Sequence, residues 1–292
     1  MTTLITTIIG SICFAILGPI VGCLLAGADR IISARMQGRV GPKLLQPYWD
    51  LRKLLGKARK SVNGVEGTYI TTALVLAIVA GGIFFSGGNF LLCVFVITLA
   101  SLFFILAAYS TRSPYSEVGA AREALQVMSY EPMVLFCAVA LYQLTGTFNV
   151  AGTLKQTHPL ICFGWAVFLG LLFILTIKLR KSPFDLSDSG HHAHQDIVKG
   201  VTTEMSGPTL AKVEIMHWCE NVMFLGWVAM FFLYDATALS AVVAVVAALL
   251  VWFLEIWIDN NFARVKWQAM LKWAWAVALV AGGLNIAVLA FL

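Results

Sequence analysis

Charge is scarce in this sequence. Asp, Glu, Lys and Arg make up only 12% of its 292 residues, against 60% hydrophobic residues and a mean hydropathy of +0.85. That leaves too little polar surface to coat a water-soluble domain of this length. Phosphate-binding glycine motifs are also missing: there is neither a Gly-x-Gly-x-x-Gly turn nor a P-loop, which speaks against a nucleotide site and against transport driven by nucleotide hydrolysis. Cys13, Cys23, Cys93, Cys137, Cys162 and Cys219 never fall at Cys-x-x-Cys spacing. The chain therefore offers no iron–sulfur ligand cluster, and its cysteines read as small polarizable core residues. No repeat, low-complexity tract or interdomain linker interrupts it, so one integral membrane domain over 1–292 is the simplest organisation.

What the chain has instead is apolar runs. About eight are long enough to cross roughly 30 Å of hydrocarbon: Leu4 to Ala28, Tyr69 to Ser86, Phe90 to Ser110, Ala124 to Leu144, Leu160 to Leu179, Val213 to Leu233, Ala236 to Ile258 and Leu271 to Phe291. They are continuous rather than alternating, which predicts helices and not barrel strands. The expected fold is all-α and polytopic. The first run is too long for a signal peptide and carries no Lys or Arg before it, so it reads as a retained helix.

Eight spans define loops on alternating sides, and nineteen of the twenty Lys and Arg residues then share one side, with only Lys155 opposite. By the positive-inside bias that side is cytoplasmic and both termini lie outside. The net charge of +5 is accounted for by this bias and gives no reason to invoke nucleic acid.

The longest basic loop, 29–68, contains Pro47 to Lys60, where Tyr48, Leu51, Leu54 and Leu55 fall at helical spacing opposite Arg52, Lys53, Lys57 and Lys60. This predicts an amphipathic helix on the cytoplasmic surface, with basic side chains reaching headgroups or a docked acidic protein. Arg122, Glu123 and Glu131 belong to the fourth candidate helix, the first two just before its apolar run, where Pro132 removes a backbone donor, and Glu214, His217 and Glu220 recur at three-residue steps in the sixth. Charge inside a span is costly and tends to face protein or water. Such a row can exchange protons near neutral pH, or it can be a static paired set that locks helices together. Glu255 and Asp259, near the inner end of the seventh run, read as snorkelling toward water. The loop 179–212 holds His191, His192 and His194. Adjacent histidines tend to point apart and no Cys accompanies them, so hydrogen bonding or proton handling at a protein interface is preferred over a metal site. His158 reads as an ordinary loop residue.

Three ordered motifs carry a family resemblance. Arg35-x-Gln37-x-Arg39-x-Gly41-Pro42 with Gln46-Pro47-x-x-Asp50, then Arg122-x-x-x-Gln126-x-x-Ser129-Tyr130-Glu131, then Ser182-Pro183-Phe184-Asp185-Leu186 with Glu204-x-Ser206-Gly207 lie in successive basic loops. Together they resemble the membrane subunit shared by respiratory complex I, where it is NuoH, and the energy-converting NiFe hydrogenases. In complex I the Pro-Phe-Asp-Leu motif is usually followed by an acidic Glu-x-Glu cluster. Here the stretch is Ser187 to Gln195, rich in histidine, and His217-Trp218 stands where that branch often has Glu-Tyr. This version looks like the EchB-type subunit of the group 4 hydrogenases.

The resemblance implies a subunit with no catalytic centre and no cofactor of its own. It would seat a peripheral arm of hydrogenase large and small subunits and a ferredoxin-like iron–sulfur subunit, which would carry the NiFe centre and the clusters. An antiporter-like membrane subunit would sit alongside in a prokaryotic cytoplasmic membrane. Arg35, Gln37, Arg39, Asp50, Asp185, His191, His192 and His194 are then the expected docking residues. Arg122, Glu123, Glu131, Glu204, Glu214, His217 and Glu220 are the expected ion path, linking ferredoxin-driven proton reduction to movement of H+ or Na+. The alternatives are a quinone-site subunit of a complex I-like oxidoreductase and a purely structural anchor. A solitary transporter lacks support, since no inverted repeat or discontinuous helix pair is evident.

Overall fold

Backbone amides and carbonyls in hydrocarbon have no water to bond, so an apolar run must satisfy them within its own segment. The computed structural model, which describes residues 2–58, 60, 63–188 and 198–291, accordingly contains α1 (Thr2–Met36), α2 (Gln46–Leu55), α3 (Gly64–Phe85), α4 (Phe90–Ser110), α5 (Pro114–Thr145), α6 (Trp165–Lys178), α7 (Gly207–Met230), α8 (Ala238–Asn261), α9 (Trp267–Val277) and α10 (Leu284–Leu289). A π-helical stretch, Ala278–Gly283, joins the last two. Among the described residues there is no β-strand, only an isolated bridge between Asn89 and Asn149.

Each of the eight apolar runs falls on helix, and the fold is all-α and polytopic. Among the described residues, six helices are long and apolar enough to cross a membrane: Ile5–Met36, Gly64–Phe85, Phe90–Ser110, Pro114–Thr145, Ala238–Asn261 and Trp267–Leu289. Helix α6 is shorter at 14 residues. Helix α7 has 24 residues but spends its length on Lys212, Glu214, His217 and Glu220 as well as on apolar side chains. Capping sets several of the boundaries. The Asn63 side chain accepts from the amides of Val65 and Glu66 at 2.7 and 3.3 Å, and Asn89 accepts from Leu92 at 3.0 Å. Gly146, at φ 72°, closes α5 in the left-handed conformation. Pro132 does not end α5, which continues through it to Thr145.

The surface helix is real but shorter than expected. Pro47 occupies its first turn and is buried, and the helix stops at Leu55, before Gly56, a residue with poor helix propensity. Leu51 and Leu54 are half-buried, whereas Tyr48 and Leu55 are exposed along with Trp49. The four apolar residues therefore do not share one buried face. Helix α2 packs on α7 and α1, and Arg59 lies outside the described residues.

Helices α4, α5, α6 and α7 supply most of the large fully buried side chains, among them Phe104, Met133, Ile174 and Trp227. Helix α1 joins them through close backbone contact. A Cβ on Gly22 would lie 2.5 Å from the carbonyl oxygen of Trp218 and 2.6 Å from its Cβ, and neither main chain can yield at such a crossing. Gly22→Ala is therefore expected to destabilise the α1–α7 packing by ~1–3 kcal/mol, as for other overpacked sites. Thermal unfolding in detergent checks this, with Gly283→Ala, at a position with open space around it, expected to melt like the parent.

Candidate functional site

Polar groups gather at one end of the bundle, where α1, α6 and α8 finish and α5 and α7 begin. Apolar α6 ends at Lys178, and three cations follow in four residues: Lys178, Arg180 and Lys181. Each turns to a different environment.

Arg180 takes a left-handed backbone, φ 52°, uncommon for a residue with a Cβ and a mark of local strain. Its guanidinium donates to Glu123 Oε1 at 2.9 Å and to Glu220 Oε2 at 3.3 Å, and the Ser187 hydroxyl donates to the second oxygen of Glu123. The side chains of Arg180, Glu123 and Glu220 are 15, 4 and 5% exposed. One buried cation thus serves two buried carboxylates on α5 and α7. The ammonium of Lys178 enters an aromatic box, 3.9 Å from the ring centroid of Tyr130, 4.6 Å from Phe224 and 5.2 Å from Trp227. Half-buried Glu131 is one of the carboxylates acting on it through space.

Lys181 donates to Asp29 on α1 and, at 3.3 Å, to Asp259 on α8. The Ser182 amide adds a bond to Asp259 at 2.9 Å. Burial alone would lower the Lys181 pKa, but the two carboxylates outweigh it and hold the ammonium above the usual lysine range. Beside this cluster Arg264 grips Asp185 through Nε and a terminal nitrogen at 3.0–3.1 Å. Arg30 pairs with Asp50 at 2.7 Å, and Gln46 donates to the other Asp50 oxygen at 3.0 Å.

These groups surround a cavity of about 120 Å³ whose lining includes Asp29, Arg180, Lys181, Asp188, Glu214 and His217. A second cavity of about 270 Å³ shares Asp29 and Asp259 with it and reaches Gln37 and Arg39 under the first loop. Both have room for several waters. Asp188 accepts from the Thr202 hydroxyl at 2.9 Å. Burial pushes its carboxyl up to about 6, against the Arg180 charge and the Thr202 bond, which both hold it down.

The three sequence motifs meet at this end. Gln126 donates to the carbonyl of Phe184 at 2.6 Å and Arg122 to that of Leu186 at 3.5 Å, so the second motif holds the backbone of the third. Ser206 donates to the carbonyl of Lys60 at 2.6 Å, tying the third to the first loop. Gln37 donates to Asn260 at 2.8 Å, and Arg39 bonds to Gln37.

The expected site residues are distributed accordingly. Arg35, in the last turn of α1, and Gln37 and Arg39, on the loop that follows, are exposed. Asp50 is tied to Arg30, and Asp185 is buried under Arg264. His191, His192 and His194 lie outside the described residues. Glu123 and Glu220 share Arg180, Glu204 is half-buried in the turn before α7, and Glu214 and His217 line the cavity. The members of the α7 row find their surroundings on other elements: Glu220 has Arg180, and the His217 ring meets Phe104 edge-on at 5.7 Å, with Nε2 buried and without a hydrogen-bond partner. The snorkelling expected of Glu255 and Asp259 is not what the structure has. Asp259 is drawn inward by Lys181 and the Ser182 amide, and Glu255 is 1% exposed. Sequence reasoning missed Asp29, Lys178, Arg180, Lys181 and Arg264 as site residues. The available signal was the cation cluster Lys178-x-Arg180-Lys181 abutting an apolar run, which served only as a marker of topology.

The family described as NADH dehydrogenase matches residues 9–290. Formate hydrogenlyase subunit 4 of Escherichia coli K12 is 28% identical over 300 residues, with 92% of each chain covered. Hydrogenase-4 component C of the same organism is 26% identical over 280 residues, covering 86% of each, and NADH-quinone oxidoreductase subunit 8 of Rhodothermus marinus is 26% identical over 314 residues, covering 91% of each. A chain of the membrane-bound sulfane sulfur reductase, an archaeal respiratory membrane complex, superposes with a TM-score of 0.86 over 97% of this chain and 99% of that one. At 20% identity that likeness speaks to fold.

Removing Arg180 strands two buried carboxylates, so Arg180→Gln is expected to cost ~3–5 kcal/mol, part of which Glu123→Gln restores in the double variant. Thermal unfolding of the three proteins in detergent measures this. Asp188 generates a pH effect of definite sign. Its folded pKa of about 6 lies above the ordinary carboxylate value, so its contribution to stability is present at low pH and is lost as pH rises through about 6. Asp188→Asn is expected to flatten the melting-temperature profile between about pH 4 and pH 6.

Proposed function

Since the chain belongs to the NADH dehydrogenase family and is a membrane subunit of a complex I-like or hydrogenase-type oxidoreductase complex, we propose that it is the anchor and coupling subunit of an energy-converting NiFe hydrogenase. The observation that carries this reading is a series of buried and half-buried ionisable groups leading inward. It runs from the cavities under the first loop, past Glu214 and His217, through Glu220, Arg180 and Glu123, to Lys178 and Glu131. A passive anchor needs no such series, because buried ion pairs are weak stabilisers compared with apolar packing. The two hydrogenase-type relatives favour the hydrogenase branch.

In this reading the basic loops face the cytoplasm and both termini face outward. The peripheral arm, consisting of hydrogenase large and small subunits and a ferredoxin-like iron–sulfur subunit, sits over exposed Arg35, Gln37 and Arg39. Asp50 and Asp185 fix the loops through Arg30 and Arg264. Electrons pass from ferredoxin to the NiFe centre in the arm, where protons are reduced. The change of charge at the arm–membrane boundary is transmitted along the buried series toward an antiporter-like neighbour, which moves H+ or Na+ outward.

A quinone-site role is the second reading, favoured by the Rhodothermus marinus relative. The cavity that would receive a ring has apolar lining at Leu25, Leu179, Trp218 and Trp252, but it is small, at about 120 Å³, and carries Asp29, Arg180, Lys181 and Asp188 as well, a setting less suited to an apolar ligand than the larger, mostly apolar pockets such ligands fill. Purifying the complex through a tag on this chain and assaying ferredoxin-dependent hydrogen evolution beside quinone reduction separates the two. Hydrogen evolution with nickel present and no quinone response is expected. Quinone-dependent turnover without nickel overturns the proposal. Glu131→Gln and Glu214→Gln are expected to leave assembly and hydrogen evolution with an artificial donor near the parent level while abolishing ion uptake by vesicles. Loss of assembly instead favours a purely structural role for these carboxylates.

A further inference from the structure

Helix α8 holds a carboxyl that the charge series above does not use. Glu255 is 1% exposed, and both of its carboxylate oxygens are buried without a hydrogen-bond partner. The charged groups acting on it are Lys181, from the segment after α6, and Asp259, one turn on along its own helix; Asp29 of α1 shares Lys181 with Asp259. An ionised carboxylate with no donor in such a place costs several kcal/mol or more. The neutral acid avoids that cost, and its hydroxyl is then a proton one helical turn from a carboxylate that opens onto water. Asp259 lines both cavities, and the larger one, about 270 Å³, leads under the first loop to Gln37, Arg39 and Asn260.

Resting on the coupling role given above, we propose that Glu255 is a proton-binding station at the closed end of a second branch, loaded and unloaded through Asp259, with Lys181 as the movable counter-charge. In the unloading step the O–H bond of Glu255 breaks and an O–H bond forms on a carboxylate oxygen of Asp259. Glu255 becomes the anion and Asp259 the neutral acid. Lys181, previously held by Asp29 and Asp259, retains Asp29 and turns its second contact to Glu255, so one cation faces two anions during this transfer, and release of the proton from Asp259 then leaves three carboxylates around Lys181 until the site reloads. The proton on Asp259 then leaves to water in the cavity, and the reverse sequence reloads the site. No oxidant or reductant enters the step. Arg180 cannot do the same, because a guanidinium does not exchange its proton and Glu123 and Glu220 hold it from both sides. The Lys181 cluster supplies a cation on a flexible stem and a third carboxyl without a partner.

Infrared difference spectroscopy on the intact complex, between resting and turning-over states, reads the protonated-carboxyl C=O band directly. The expected result is a band that responds to turnover in the parent and is missing in Glu255→Gln, together with ion uptake reduced to background and hydrogen evolution with an artificial donor retained. Should Glu255→Gln fail to assemble, Glu255→Asp is expected to shift the band rather than abolish it. Identical bands in parent and variant, or full ion uptake by Glu255→Gln, overturn the proposal. If the parent complex itself moves no ion, the coupling role fails on its own account, and the infrared comparison still decides whether Glu255 carries a proton that responds to turnover.

Discussion

The guanidinium of Arg180, wedged between Glu123 and Glu220, is the constraint on which this end of the molecule depends. Apolar packing is non-directional, and it leaves helices free to slide or rotate by small amounts. A buried bidentate cation does not allow this, because any slip of α5, α6 or α7 strands a charge in a medium that penalises it heavily. The left-handed backbone at Arg180 follows from the same demand. The chain leaving α6 must turn sharply to aim one side chain between two helices while Lys178 aims into the aromatic box and Lys181 toward α1 and α8. Three cations separated by so little sequence cannot reach three compartments along a regular helix.

The loops are held to this core as tightly as the helices. Gln126 and Arg122 bond to backbone carbonyls at Phe184 and Leu186, and Ser206 bonds to that of Lys60. Motifs separated by many tens of residues are therefore parts of one surface. It is basic and exposed at Arg35 and Arg39, ion-paired at its surface through Asp50, and ion-paired below it through buried Asp185.

Much of this was legible before any coordinates. The apolar runs fixed the helices because hydrocarbon length and backbone satisfaction leave few alternatives, and Glu123, Glu220 and His217 stood out as charge in the wrong solvent. What the sequence did not disclose was pairing. Glu214, His217 and Glu220 share a helix face at three-residue steps, yet Glu220 pairs with Arg180 from the α6 exit and His217 meets Phe104 of α4, and no local spacing encodes that. Asp259 and Glu255 looked like residues reaching for water because they sit at a helix end. Only tertiary packing, which brings Lys181 and the Ser182 amide across from the α6 exit, turns Asp259 inward. The surface helix was overextended for a local reason, since the basic periodicity continues beyond Gly56 although the helix does not.

The shortness of α6 has an electrical consequence. Its 14 residues rise only about 21 Å at 1.5 Å each, against roughly 30 Å of hydrocarbon. Beyond its last turn lie Arg180 and Lys181 and a polar cavity, in place of further apolar helix. Were that cavity filled with water continuous with the cytoplasm, the insulating layer over α6 would be thinner than in the surrounding lipid. A membrane voltage would then fall over a shorter distance there, and a charge displaced near Lys178, Arg180, Glu123 and Glu220 would carry a larger share of the membrane potential per ångström than one moving through a full-length span.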